Sequence, residues 1–124
     1  MPVPILRQGS ILIATVQSAV TDTDFVRLRD DLLEQVRSQR IQGVIVDVTP
    51  LDVLDSFASR SLKALAHMTK LLGARTVIVG IQPEVAFAMV QLGLTLPGIA
   101  TALDLDEGLA LLQQPDATRS DHDR

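Results

Sequence analysis

Apolar and polar positions alternate in block size along this chain, and the block lengths predict its elements. "VPIL" and "SILIATV" are short, rich in β-formers and separated by "RQG", the pattern of an antiparallel hairpin with Gly9 in the turn. After Val20, "TDTD" supplies capping side chains, and Phe25, Leu28, Leu32 and Val36 recur at spacings of three and four, which predicts a helix with one buried stripe. Arg27, Arg29, Asp30, Asp31, Glu34 and Arg37 form its wet face.

"VIVDV" after Gly43 and "TVIVGI" at 76–81 are continuous rather than alternating, as strands covered on both faces are. Between them, Ala58, Leu62, Leu65, Met68 and Leu72 predict a helix stopped by Gly73. Pro83 suits the first turn of another helix, with Val85, Met89 and Leu92 on its apolar side and Gly93 as its stop. "GIATAL" reads as a last strand. Asp104, Asp106 and Glu107 then bring negative charge to the start of a short helix carrying Leu109 and Leu112. Residues 114–124, "QPDATRSDHDR", are polar and aperiodic, and disorder is expected there.

The order ββαβαβαβα implies a single α/β domain over residues 1–113, with a mixed, mostly parallel β-sheet and right-handed crossovers. In such sheets functional loops gather at the carboxyl ends of the strands. Asp47, the segment from Thr49 to Ser56, and the loop holding Thr21, Asp22, Thr23 and Asp24 all fall there, and the two loops are expected to be neighbours.

Composition narrows the chemistry. No run of the 124 residues approaches a membrane span, and the N-terminus "MPVPILRQGS" lacks the layout of an export signal, so a cytoplasmic protein is expected. There is no cysteine for a disulfide or thiolate metal site. A net charge of −4 with three Phe and no Tyr or Trp offers nucleic acid neither a counter-charge nor a stacking platform.

Ser56 in "PLDVLDSFASR" is the residue that invites a chemical reading. A serine nucleophile needs a base within hydrogen-bond reach, yet His67 lies about 16 Å further along the same predicted helix. No G-x-S-x-G elbow, P-loop or G-x-G-x-x-G pattern occurs. Asp47, Asp52 and Asp55 could ligate magnesium, but loop aspartates are commoner as turn and cap residues, so neither metal nor cofactor is expected.

Two readings of Ser56 remain: a helix N-cap worth about 1 kcal/mol, or a site for phosphate. Ser56, Arg60, Lys63, His67 and Lys70 follow at spacings of four, three, four and three, so the serine begins a basic stripe. The stripe is either a solvated face or a docking surface for an acidic partner. A phosphate there would gain from the helix dipole and Arg60 and lose to Asp52 and Asp55, terms of about 1 kcal/mol each that partly cancel.

"VIVDVTPLDVLDSFASRSL", "LLGARTVIVGIQPEVAFAMVQLGL" and "TALDLDEGLALL", in this element order, resemble STAS domains, and more closely the RsbS-type scaffold and antagonist subunits of bacterial stressosomes. The resemblance spans residues 3–113. "DSF" and "GIQPEVA" point to the stressosome branch. Ordinary anti-sigma antagonists commonly carry Gly two positions after their phosphorylated serine, whereas Ala58 stands there in this chain.

The resemblance implies a non-catalytic protein that sequesters a cognate switch serine kinase and is phosphorylated by it on Ser56, with a serine phosphatase resetting the state. It also implies homo- and hetero-oligomers with larger sensor paralogues carrying C-terminal STAS domains. Asp47, Thr49, Asp52, Asp55 and Arg60 are then the flanking partner-binding rim, and Thr21–Asp24 are placed on that rim by topology. Two alternatives are a direct antagonist of an anti-sigma factor and a small-ligand-binding or hydrolytic α/β domain.

Overall fold

The computed structural model describes residues 3–114. Strands β1 (Ile5–Gln8) and β2 (Ile11–Thr15) form the hairpin, closed by Gly9 and Ser10, with Gly9 at φ 62°. There follow α1 (Asp22–Ser38), β3 (Gly43–Asp47), α2 (Ser56–Leu71), β4 (Arg75–Val79), α3 (Pro83–Gln91), β5 (Ala100–Ala102) and α4 (Leu105–Gln113). The five strands lie in the order β1-β2-β3-β4-β5, with β1 antiparallel and the rest parallel. The fold class and element order are those predicted.

Strands laid side by side in chain order and joined by right-handed crossovers put their connecting helices on one face. The core follows that rule. Leu12, Ala14, Val44, Val46 and Ile78 pack with Leu28 and Leu32 of α1, Leu62 and Leu65 of α2, and Val85 and Met89 of α3. The opposite face, Ile13, Ile45, Val77 and Val79, is covered by Leu105, Leu109 and Leu112 of α4. Both faces of β3 and β4 are therefore dry, which is why their sequences do not alternate. At Gly108 the helix comes so close to the sheet that a Cβ would stand 2.8 Å from Val79 Cγ1.

Four boundaries and faces differ from expectation. β1 lies two residues further on than "VPIL", because the two-residue turn draws Arg7 and Gln8 into the ladder opposite Leu12 and Ile11. β5 is shorter than "GIATAL". On α2 the stripe runs through Ala58, Ser59, Leu62, Leu65 and Thr69 rather than ending in Met68 and Leu72. Leu72 is the C-cap and is exposed, while Thr69 is buried with its hydroxyl donating to the Ala66 carbonyl and 2.7 Å from the Thr76 hydroxyl on β4. A single proton on Thr69 means that Thr76 donates in that pair, so two buried hydroxyls satisfy each other. Leu92, likewise a C-cap, is exposed instead of completing the buried side of α3. The predicted tail lies outside the described residues beyond Gln114.

Helix α1 starts with a reciprocal cap. The Thr21 hydroxyl accepts from Asp24 N–H at 3.1 Å, and the Asp24 carboxylate accepts from Thr21 N–H at 3.0 Å. The backbone donor of Thr21 holds the Asp24 carboxyl below its ordinary pKa. Because the folded pKa is the lower one, this contribution is present above the unfolded value and is lost as pH falls through the folded value. Urea midpoints are accordingly expected to fall with acidification below about pH 4, and to fall less steeply in Asp24→Asn than in the parent chain.

Candidate functional site

The rim forms where β3 and β4 end. Asp47, half-buried at the last position of β3, accepts on Oδ1 from the Thr49 N–H (2.9 Å) and the Thr49 hydroxyl (2.6 Å). This is an Asx turn, the local bond that makes aspartate a loop residue. Gln82, the N-cap of α3, donates Nε2 to the Thr49 carbonyl at 2.7 Å, so the loop after β3 is stapled to the loop after β4.

From there the chain is pinned by alternate side chains. Leu51 and Leu54 are buried, whereas Asp52, Val53 and Asp55 are exposed. Asp55 is the N-cap of α2, its carboxylate accepting from Ala58 N–H at 2.8 Å. Ser56 is thus the first helical residue and not the cap, which corrects one of its two readings. Its side chain is exposed. Losing the cap in Asp55→Ala is expected to cost about 1 kcal/mol, read as a lower urea midpoint, with Asp55→Asn retaining most of it.

The beginning of α2 faces α3 across a cleft of about 440 Å³. Val53, Leu54, Val85, Ala88, Leu92 and Leu94 give it apolar walls, and Asp52, Asp55 and Ser56 also line it. Val53 and Leu92 are each 71% exposed, and Phe87 and Val90 are exposed on the other side of α3.

The Asp55 carboxylate beside Ser56 is held by Ala58, and His67 lines a different cleft on the same helix. Among the described residues no three His, Asp or Glu side chains gather as metal ligands, and no helix is long and apolar enough to cross a membrane.

The STAS domain family matches residues 3–107. The chain belongs to this family. Over 83 residues this STAS domain is 31% identical to the RsbT co-antagonist protein RsbRA of Bacillus subtilis strain 168, spanning 67% of the present chain but 30% of that protein. It is 32% identical to a serine-to-glutamate variant of RsbS from Moorella thermoacetica, with a TM-score of 0.78 over 90% of this chain and 94% of that one. A chain from a structure of the stressosome, described as a signal integration and transduction hub, is 33% identical with a TM-score of 0.76, covering 89% of this chain and 96% of that one. The anti-sigma factor antagonist SpoIIAA in its unphosphorylated form shares the fold at 11% identity and a TM-score of 0.70, covering 92% of this chain and 99% of that one.

The STAS fold brings Asp52, Asp55 and Ser56 together at the α2–α3 cleft, with Arg60 exposed one turn along the helix. Asp47 and Thr49 stand one turn back, occupied with each other. The loop before α1 leaves the strand next to β3, where Val16 N–H bonds to the Asp47 carbonyl at 2.9 Å. Of the four residues expected in that loop, Thr21 is the N-cap and Asp22, Thr23 and Asp24 form the first turn of α1; Thr21, Asp22 and Thr23 are exposed, and Asp24 is buried in the cap. Sequence reasoning missed Gln82 and the α3 wall of the cleft. Its available signal was "PEVAFAMVQLGL", which holds more apolar residues than one buried helix side requires.

Proposed function

We propose that this STAS domain is a non-catalytic stressosome-type scaffold and negative regulator. Unmodified, it holds a cognate switch serine kinase; phosphorylated by that kinase on Ser56, it lets the kinase go. The observation that carries this reading is the placement of an exposed serine hydroxyl at the first residue of α2, beside an uncovered apolar cleft. An apolar cleft supplies the area for docking a protein, and a hydroxyl within it is the point where one added phosphate changes that docking most.

Accessibility selects among the serines of α2. Ser59 is completely buried and Ser61 is half-buried, so Ser56 is the one open to a kinase. Asp52, Asp55 and Arg60 are then the charged neighbours that a docked partner meets, with Asp47 and Thr49 shaping the loop behind them and Asp22 and Thr23 on the adjacent rim. The likeness to RsbS and to a stressosome chain supports assembly with copies of itself and with larger RsbR-type paralogues that bring the sensory part, in the cytoplasm, with a serine phosphatase to reset Ser56. Direct antagonism of an anti-sigma factor has the weaker support, since the likeness to SpoIIAA is one of fold.

Incubation with the cognate kinase and ATP is expected to add a single phosphate by intact mass, and Ser56→Ala is expected to add none. An unchanged phosphate load on Ser56→Ala overturns the assignment.

A further inference from the structure

The second half of α2 carries a feature that Ser56 does not use. Lys63, His67 and Lys70 lie at intervals of four and three and so share one side of the helix. They line a second cleft, of about 500 Å³, whose other wall is Pro97, Gly98 and Ile99, the segment leading into β5. The chain has two lysines, and both are in this cleft; every other cation of its Lys and Arg set is an arginine. Acidic residues outnumber basic ones, 15 to 11, yet no carboxylate lines it.

We infer that this cleft binds an extended acidic segment of a partner protein, one with carboxylates three residues apart. The spacing sets the pattern. Lys63 and Lys70 are separated by seven helical steps, about 10 Å along the axis. A chain extended as polyproline II advances about 9 Å in three residues and returns to the same side, which brings carboxylates i and i+3 into register with the two ammonium groups. His67 lies between them. Lysine suits this task because its ammonium is a mobile point charge that meets single carboxylates, whereas the arginine fork favours paired, coplanar oxygens. Ala64 and Ala66, small side chains in the same lining, and Gly98, which has no side chain, leave room for a backbone to lie between the walls. The site is separate from Ser56 and does not depend on its phosphorylation.

The test is a titration of the full ¹⁵N-labelled chain, at low salt, with an acetylated and amidated peptide carrying two glutamates separated by two alanines. Amide shifts are expected from Lys63 to Lys70 and at Gly98 and Ile99, with none for the same peptide carrying glutamines. Lys63→Gln/Lys70→Gln, which preserves the packing of the stems, is expected to weaken binding about tenfold or more, and added salt to weaken it further. Ser56→Asp is expected to leave it within about twofold, which separates a failure here from a failure of the Ser56 reading. Four outcomes overturn the proposal: equal binding of the glutamate and glutamine peptides, an undiminished affinity in the double variant, shifts that map to the α2–α3 cleft, or displacement of the peptide by inorganic phosphate at matched ionic strength, which assigns the cleft to small anions.

Discussion

Gly80→Ala is expected to lower the stability of the domain by about 2–5 kcal/mol, seen as a lower urea midpoint with an unchanged slope. Gly80 follows β4 with φ at 80°, a region that costs an L-residue about 1–2 kcal/mol. Space adds a second cost. A Cβ there would run into the Thr49 side chain and come within 3.1 Å of Asp47 Oδ1. Thr49 has little freedom to retreat, since its hydroxyl and N–H are bound to Asp47 and its carbonyl to Gln82. Crowding of this kind costs about 1–3 kcal/mol.

The two costs can be separated. In a Thr49→Ala background the hydroxyl that the new Cβ would strike is gone, while the residue 49 Cβ at 3.0 Å and Asp47 Oδ1 at 3.1 Å remain, so Gly80→Ala is expected to cost less than in the parent chain by about 1 kcal/mol or more. An undiminished loss in that background would show that the crowding lies elsewhere. The substitution also bears on the site, because the staple it disturbs positions the loop that leads through Leu51 and Leu54 to Ser56.

The fold was legible because its signals are repeated in independent forms. "VIVDV" and "TVIVGI" are unbroken because α4 covers the sheet face that α1, α2 and α3 leave open, and the capping residues before α1 and α4 sit where the periodicity begins. Legibility failed at helix ends. Leu72 and Leu92 keep the spacing of a buried stripe but fall on caps, where the helix has ceased to direct them inward, and Thr69 is buried with a hydroxyl partner, Thr76, on the strand that follows the helix. Spacing within one helix carries no information about such a partner.

The site was legible in its serine and not in its surroundings. Ser56 stood out because no base accompanies it, and its neighbour Asp55 took the capping role that either residue type could fill. The cleft beside it depends on Val85, Ala88 and Leu92, about thirty residues later, whose types are equally those of a core. Only the packing of α3 against the sheet determines which of its apolar residues are left bare.

Stoichiometric phosphorylation of Ser56 is expected to weaken the complex with the kinase by about 100-fold or more, measured by titration calorimetry on the two forms. The unmodified hydroxyl at the cleft can be covered at little cost. Phosphoserine brings a charge of about −1.5 to −2, and a partner that covers it must desolvate that charge at several kcal/mol or lose its contact with Val53 and Leu92. Asp52 and Asp55 line the same cleft, so the added charge also meets like charge there. The fold itself is expected to tolerate the change, since a dianion in the first turn of α2 gains about 0.3–1 kcal/mol from the helix dipole and offsets part of that repulsion. Melting temperatures of the two forms should therefore agree within a few degrees while their affinities part, on the order of 2–4 °C at most for a net local change near 0.5 kcal/mol. Ser56→Asp, with half the charge and a shorter reach, is expected to fall between the phosphorylated and unmodified forms. Equal affinity of the phosphorylated and unmodified proteins, with phosphate verified on Ser56, would place the kinase on another surface of the domain.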